Sequence, residues 1–565
     1  MPKRSSGFST LSLLDLPPAE QAILKFMLRR DTVTEVVLRA GLAENPFSDS
    51  EISLALEHLE KEHWLRKILI EGKAIYSIAL RQRGSSNLAE LNLHRRLSTP
   101  SLTSVVHMLQ SLQGIAEPEA VTRPRRASVI LLVLIAVAII NSFVLGVLDV
   151  TAISGFVTEL GTKNLPWLWM AEMLIGLVIS GSYLRVIDRL PRSFMMTSLL
   201  GLLVFIYIII FGLFAVGIPT QILYPLVYLV YSQQVIIFPI VFWNLAGNFY
   251  SMADARRTFP ILASGEMIGN LIGYSVFSLP GLVGLKDLEQ FIVANPSMLV
   301  GLGAGLLLAS LVLMLVVLRG PSDKVQKPSE ERISILQDIR DAYETIRAIP
   351  LFRYLFVTMT LVWVVLTVLW YQFYTALDQM SSSPDKFSTF YSIFGIALVL
   401  VPLILQWLLI SALIRRIPPR DVALGIPTVL IASLMFFIAL PLPIVAIGAI
   451  FFPIVLDKAW DTPVFQTLQN LIPEDRRGRV SALLNNYTYA FGTISGGLLI
   501  VLLLIIGSRL AWTPSMIQEI SLMLALFAAL GAITAALWVR ATYEDSMFSW
   551  RLKRRQRTDL LDKIK

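Results

Sequence analysis

The 565-residue chain has no cysteine and only four histidines. Without thiols there are no disulfides, no thiolate nucleophiles and no Cys-zinc sites. The histidines, His58, His63, His94 and His107, all precede the first long apolar run, so the apolar part holds no His relay and no His-metal site. Charge is scarce as well. Asp, Glu, Lys and Arg make up 16% of residues, where a soluble domain carries about 25%. A plain soluble enzyme, a disordered chain and a fibre are thereby excluded. What the chain has in abundance is apolar surface: 55% apolar residues and a mean hydropathy of +0.67. That composition is one of a polytopic helical membrane protein. The formal net charge of +8 fits the basic bias of cytoplasmic loops better than a nucleic-acid partner.

Residues 1–83 differ from the rest. No apolar segment with a small-residue cleavage site follows the polar start Met1-Pro2-Lys3-Arg4, so a secretory signal is not expected. Pro18 to Arg30 reads as a helix with Ile23, Leu24, Met27 and Leu28 on one face. Thr32 to Ala40 reads as a second short helix, ended by Gly41, and Ser48 to His63 as a third. Ser48 and Glu51 form a capping box there, and Ile52, Leu54, Leu56 and Leu59 supply apolar contacts. Strands over Leu65 to Ile70 and Ala74 to Leu80 follow, joined by a turn at Glu71-Gly72-Lys73. Three helices and a β-ribbon resemble a winged-helix domain. Its third helix carries Asp49, Glu51, Glu57, Glu60 and Glu62 against Lys61. A negative recognition helix is repelled by phosphate, so the expected role of residues 1–83 is contact with a cytoplasmic protein, not nucleic acid.

A tether over residues 84–126 leads into about twelve apolar runs, each near the ~20 residues a bilayer requires. The first six lie near 128–158, 166–187, 194–216, 222–250, 259–283 and 297–319. A polar linker over 320–350 separates them from six more, near 351–378, 387–413, 421–440, 442–470, 480–506 and 517–540. The expectation is an all-α membrane protein of two six-helix halves, 127–319 and 351–540, with a basic tail at 541–565. Arginines cluster in alternate loops: Arg123, Arg125 and Arg126, Arg189 and Arg192, Arg256 and Arg257, Arg415, Arg416 and Arg420, then Arg476, Arg477 and Arg479. The other loops hold little more than Lys163, Lys286, Lys386 and Arg509. Both termini are therefore expected in the cytoplasm, in an inner or plasma-type membrane. Met1 to Arg4 and the tail at Arg551 to Arg557 are placed to meet anionic lipid headgroups.

The halves repeat each other. Ile187-Asp188-Arg189-Leu190-Pro191-Arg192 recurs with one insertion as Ile414-Arg415-Arg416-Ile417-Pro418-Pro419-Arg420. Asp254-Ala255-Arg256-Arg257, followed by Gly269-x-x-x-Gly273, recurs as Asp475-Arg476-Arg477-Gly478-Arg479, followed by Gly492-x-x-x-Gly496. Asp188 to Arg192 resembles the loop motif of the major facilitator superfamily, with Pro191 where glycine is usual. Phe242-Trp243-Asn244 through Phe249, then Ala253 to Phe259 with Gly265, Gly269 and Gly273, resembles the ATP/ADP antiporter-like branch. The resemblance covers roughly residues 128 to 540. It implies alternating access, with Asp188, Arg189, Arg192, Arg256, Arg257, Arg477 and Arg479 at the gate. It also implies an anionic solute, a nucleotide among the options. The second copy has Arg415 where Asp is usual, so the latch is expected to be one-sided.

Polar groups inside apolar runs are costly and tend to face cavities. Asn141 and Asp149 sit in span one, Gln233 and Asn244 in span four, Trp370 and Gln372 in span seven, and Asp457, Lys458 and Asp461 in span ten. These are the candidate solute-binding residues. Asp149, Glu266 and Asp457 are candidates for a coupling proton. Plainer readings stand beside these: Glu266 paired with an Arg at the helix end, Asp457, Lys458 and Asp461 as a self-neutralising triad, and Trp370 with Tyr371 as an interfacial belt. Glu172 reads as an outer-interface residue. Gly265, Gly269 and Gly273 share one helix face and read as tight packing. No metal, cofactor or nucleophile motif appears. The expectation is a secondary transporter with a small-molecule substrate. The alternative is a non-transporting receptor whose N-terminal domain contacts a partner. One point weighs against a nucleotide: several phosphates need several buried cations, and Lys458 is the one clear candidate.

Overall fold

The computed structural model describes residues 33–34, 49–61, 65–70, 73–78, 124–186, 190–250, 252–318, 350–406, 419–461 and 483–564, with Ile23 and residue 408 besides. The chain divides into two compact units, Met1–Val121 with Phe548–Lys565, and Thr122–Met547.

In the first unit, helix α1 (Asp49–Lys61) accompanies strands β1 (Val33–Thr34), β2 (Leu65–Ile70) and β3 (Lys73–Ile78). The sheet is antiparallel in the order β1-β3-β2. Leu65 faces Ile78 and Ile70 faces Lys73, so the hairpin closes one residue earlier than expected. Thr34, expected in a helix, pairs instead with Ile75. The β-branched pair Val33-Thr34 favours an extended backbone once β3 offers an open edge. Helix α1 buries Ile52, Ala55, Leu56 and Leu59, a 3.6-residue repeat. Leu54 falls off that stripe and is 67% exposed, contrary to its expected core role. Ile23 is fully buried. The rest of the first expected helix and the Ser48 cap lie outside the described residues.

The second unit is helical. Its main helices are α2 (Pro124–Leu160), α3 (Leu165–Val186), α4 (Arg192–Ala215), α5 (Thr220–Phe249) and α6 (Met252–Val283). A short amphipathic α7 (Lys286–Ala294) precedes α8 (Pro296–Val317). Then come α9 (Pro350–Met380), α10 (Pro384–Leu405), α11 (Gly425–Ala439) and α12 (Pro443–Leu456). Widened π-turns at Asp457–Asp461 and Leu483–Tyr487 adjoin α12 and α13 (Thr488–Arg509), and the last helix, α14 (Pro514–Ile564), belongs to this unit up to Met547. Proline opens α8, α10 and α12; its missing N–H has no helical partner at that position anyway.

Among the described residues, eight helices are long and apolar enough to cross a membrane: α2, α4, α5, α8, α9, α10, α13 and α14. The expected spans at 166–187, 259–283 and 421–440 correspond to α3, α6 and α11, and the one at 442–470 begins with α12 and ends outside the described residues; these four helices are not among the eight.

The repeat governs packing. In the first half α6 lies against α2: a Cβ on Gly269 would overlap the Ile139 carbonyl oxygen, and one on Gly273 would stand 2.6 Å from that of Phe143. In the second half α13 lies against α9 in the same way. A Cβ on Gly492 would overlap Trp363 Cβ, and one on Gly496 would stand 2.8 Å from Thr367 Cβ. Glycine is required at these positions because two helix backbones meet there. The halves meet where α6 faces α10 and α3 faces α13, as at Gly395 against the Tyr274 ring and Gly497 against Met170.

Candidate functional site

A cavity of about 310 Å³ lies between the halves, at the small end of the range for ligand pockets. Its wall comes from α2, α3, α5 and α6 on one side and from α9, α10, α13 and the Asp457–Asp461 turn on the other.

Helix α9 turns one face to the cavity: Trp363, Thr367, Trp370 and Tyr374 all line it. Their spacing of four, three and four is one stripe of an α-helix. Helix α5 does the same with Tyr228, Tyr231, Ser232, Val235 and Ile236. Ten of the 21 lining residues are aromatic, against 10% in the whole chain. The rings support one another. Trp370 stacks on Tyr374 at 5.5 Å and 22°, Trp169 tilts against Tyr374 at 6.1 Å, and Trp363 meets Tyr489 at 4.4 Å.

Two carboxylates and one ammonium share this wall. Asp149, on α2, is 7% exposed. Its Oδ2 accepts from Tyr274 Oη at 2.8 Å, and Tyr391 Oη donates to the carboxylate at 3.1 and 3.2 Å. Those two phenols come from opposite halves. Glu172, on α3, is also 7% exposed, and its Oε2 accepts from Tyr228 Oη at 2.8 Å. Lys458 lines the cavity from the π-turn, is exposed to it, and has its carbonyl held by Gln406 Nε2 at 2.8 Å.

The sequence-picked residues separate into three groups. Asp149, Trp370 and Lys458 line the cavity. Asn141, Gln233 and Gln372 are buried elsewhere and bond within the helix packing. Asn141 Oδ1 accepts from Gln234 Nε2 at 2.8 Å, while Gln233 Nε2 donates to the Glu172 carbonyl at 3.2 Å and Gln372 Nε2 to Ser521 Oγ at 2.8 Å. Asn244 lies near the end of α5, where its carbonyl accepts from Arg192 at 3.3 Å. Asp457 is half-buried and outside the lining. It sits with Asp461 in a π-turn, so the expected α-helical face is not formed. The Asp461 side chain lies outside the described residues.

Of the remaining coupling candidates, Glu266 stands on α6 away from the cavity. Its Oε1 is buried with no hydrogen-bond partner, so the arginine pairing read for it does not form among the described residues. Of the gate residues, Arg192 donates to Asn248 Oδ1, tying α4 to α5. Arg257 is exposed on α6, which also carries Arg256. Asp188, Arg189, Arg477 and Arg479 lie outside the described residues. An ion pair the sequence reading did not single out, Arg540 Nε to Asp421 Oδ1 at 2.9 Å, ties α14 to the stretch before α11.

Glu172, expected at an interface, is a cavity carboxylate. The tyrosines and Trp169 and Trp363 were also missed. The signal lay in the i, i+7, i+11 spacing of Trp363, Trp370 and Tyr374 in mid-span, since belt aromatics gather at span ends. Elsewhere, aromatics are plain core: the Trp243 ring packs 5.2 Å from Phe259. A larger cavity of about 790 Å³ lies against α11 and α12, with Ser433 as the one hydrogen-bonding side chain in its lining. Among the described residues no cluster suits a metal ion.

Residues 261–497 match the family model of the Major Facilitator Superfamily. The fold is similar to that of the nucleoside transporter NupG, with a TM-score of 0.54 at 16% identity, covering 73% of this chain and 99% of that one. It is similar to the POT family transporter PepTSo, with a TM-score of 0.53 at 12% identity, covering 76% and 99%. A bacterial homologue of the iron transporter ferroportin gives a TM-score of 0.51 at 15% identity, covering 74% and 100%. No curated protein matches in sequence. The chain thus has the fold of these transporters and is an integral, multi-pass membrane protein.

Proposed function

We propose that the protein is a secondary active transporter that moves a small organic solute by alternating access of its central cavity. One observation carries this: the 310 Å³ cavity is walled by both halves, and Asp149 accepts phenols from each of them. A rocking motion of one half against the other has to break the Tyr391 contact, because Asp149 and Tyr274 belong to the same half and move together. The charge on Asp149 is thereby coupled to which side is open, which makes Asp149 the preferred coupling group over Asp457 and Glu266. The glycine faces of α6 and α13 fit within-half rigidity, so that the halves move as bodies.

Twelve spans in two halves, with both termini cytoplasmic, is the topology we assign; the alternation of basic loops supports it. Residues 1–83 are read as a winged-helix-like domain, supported by the β1-β3-β2 order, with a cytoplasmic protein as partner and membrane lipid as the neighbour of the basic tail. An anionic solute, with nucleotides included, is what the antiporter-like resemblance implies, and Lys458 is the lining residue that favours it. The two lining carboxylates favour the opposite sign.

The test is reconstitution into proteoliposomes with exchange of labelled organic solutes. The expected result is counterflow in wild type, and Asp149→Asn protein that still exchanges but no longer accumulates solute against a gradient when a proton gradient is applied. Ligand binding with no exchange under any gradient would sink the transport reading in favour of a receptor.

A further inference from the structure

Resting on the transport reading, we propose that the central cavity selects a small monovalent organic cation, a protonated or quaternary amine of roughly one-ring size.

The argument begins with the sign of the wall. It holds Asp149 and Glu172 against Lys458, so two potential negative charges face one positive. Three phenol donors of the wall are already engaged: Tyr274 and Tyr391 donate to Asp149, and Tyr228 donates to Glu172. A phosphate or carboxylate guest would compete with the protein's own carboxylates for those phenols. A cation needs no donor from the wall. It gains from the carboxylate oxygens and from aromatic faces, whose quadrupole is negative above the ring.

Those faces are present in quantity. Trp370 and Tyr374 stack, Trp169 closes on Tyr374, and Trp363 stands on the same stripe of α9. Tryptophan gives the strongest cation–π contact of the three aromatic types. Glu172 retains an oxygen, Oε1, that no donor reaches among the described residues, and Glu172 borders the cavity. Lys458 is carried by a π-turn at the edge of α12, and its ammonium sets an upper limit on guest charge: a second positive centre would meet it. The volume of about 310 Å³ admits a ring with an ammonium substituent and excludes a nucleoside triphosphate with its counterions.

The experiment uses the full chain in lipid nanodiscs and three probes of one shape: benzyltrimethylammonium, its neutral isostere neopentylbenzene, and benzylphosphonate. Binding is read by tryptophan fluorescence and by calorimetry. The expected result is that the cation binds at least roughly tenfold more tightly than either of the other two, the scale of a desolvated cation–π contact. Trp370→Leu and Glu172→Gln should each weaken the cation by a similar factor, and Lys458→Ala should tighten it. Because the comparison among probes is made on wild type, a variant that fails to fold does not obscure it. Equal binding of cation and isostere overturns the proposal, and so does binding of none. Preferred binding of benzylphosphonate, lost in Lys458→Ala, overturns it in favour of an anion site. Cation binding without exchange across proteoliposomes leaves this assignment standing and overturns the transport reading instead.

Discussion

The two halves of the bundle share one packing scheme and spend it differently. In both, a glycine face on the fifth helix of the half seats against the first: α6 on α2 and α13 on α9. In the first half a polar residue of the first helix, Asp149 on α2, lines the cavity. In the second half a polar residue of α9, Gln372, is buried outside the cavity lining and bonds Ser521 on α14. The second half gives the cavity instead a stripe of Trp363, Trp370 and Tyr374. One half supplies most of the charge, and the other supplies much of the aromatic surface. A duplicated scaffold therefore does not imply duplicated chemistry: backbone approach is kept at the glycines while the cavity face is free to differ.

The largest expected effect is at the shared feature. Gly269→Leu places side-chain atoms where the Ile139 carbonyl already sits, and Gly492→Leu does so against Trp363. Overpacking of this kind costs about 1–3 kcal/mol or more. Both should lower the melting temperature in detergent, and Gly492→Leu should also weaken ligand binding by displacing Trp363. If neither variant is destabilised, the two-fold packing account fails.

Next come the differences. Asp149→Asn removes a charged acceptor held by two phenols, and a charged hydrogen bond contributes about 1.5–3 kcal/mol. The expected result is loss of gradient-driven accumulation with the fold intact by circular dichroism. Glu266→Gln, away from the cavity, should leave transport unchanged. A reversal of those two outcomes would move the coupling site to α6. The smallest effect is expected at Gln372→Leu. It deletes one neutral hydrogen bond to Ser521, about 1 kcal/mol of stability, and should not change ligand affinity. A tenfold affinity loss there would mean that the second half does contribute its polar group to the cavity.

Much of the described scaffold could be read from the sequence because bilayer-length apolar runs and the repeated Gly-x-x-x-Gly are one-dimensional signals. The strand at Val33–Thr34 was not legible, since two residues carry too little pattern to outweigh a helical neighbourhood and only the edge of β3 makes them extended. For the site, rarity within a span found Asp149 and Lys458. Rarity alone could not tell an inward face from a helix–helix seam, and so Asn141, Gln233 and Gln372 were drawn in with them. Glu172 was lost because its nearness to a span end resembled an interface; only Tyr228, 56 residues away, marks it as a cavity residue. The aromatic stripe of α9 was legible in principle, had spacing been weighed above residue type.

The central claim is that the cavity between the halves is a solute site that opens to alternate sides of the membrane. The chain has no cysteine, so single cysteines can be placed without background. The most direct measurement is labelling of Thr493→Cys, on the cavity wall, by a membrane-impermeant maleimide applied from each side in turn, with and without benzyltrimethylammonium. Gln372→Cys, buried against α14, serves as the unreactive control. The account predicts labelling of Thr493→Cys from both sides, slowed by the ligand, and none of the control. Labelling from one side only under every condition, or none from either, would contradict it.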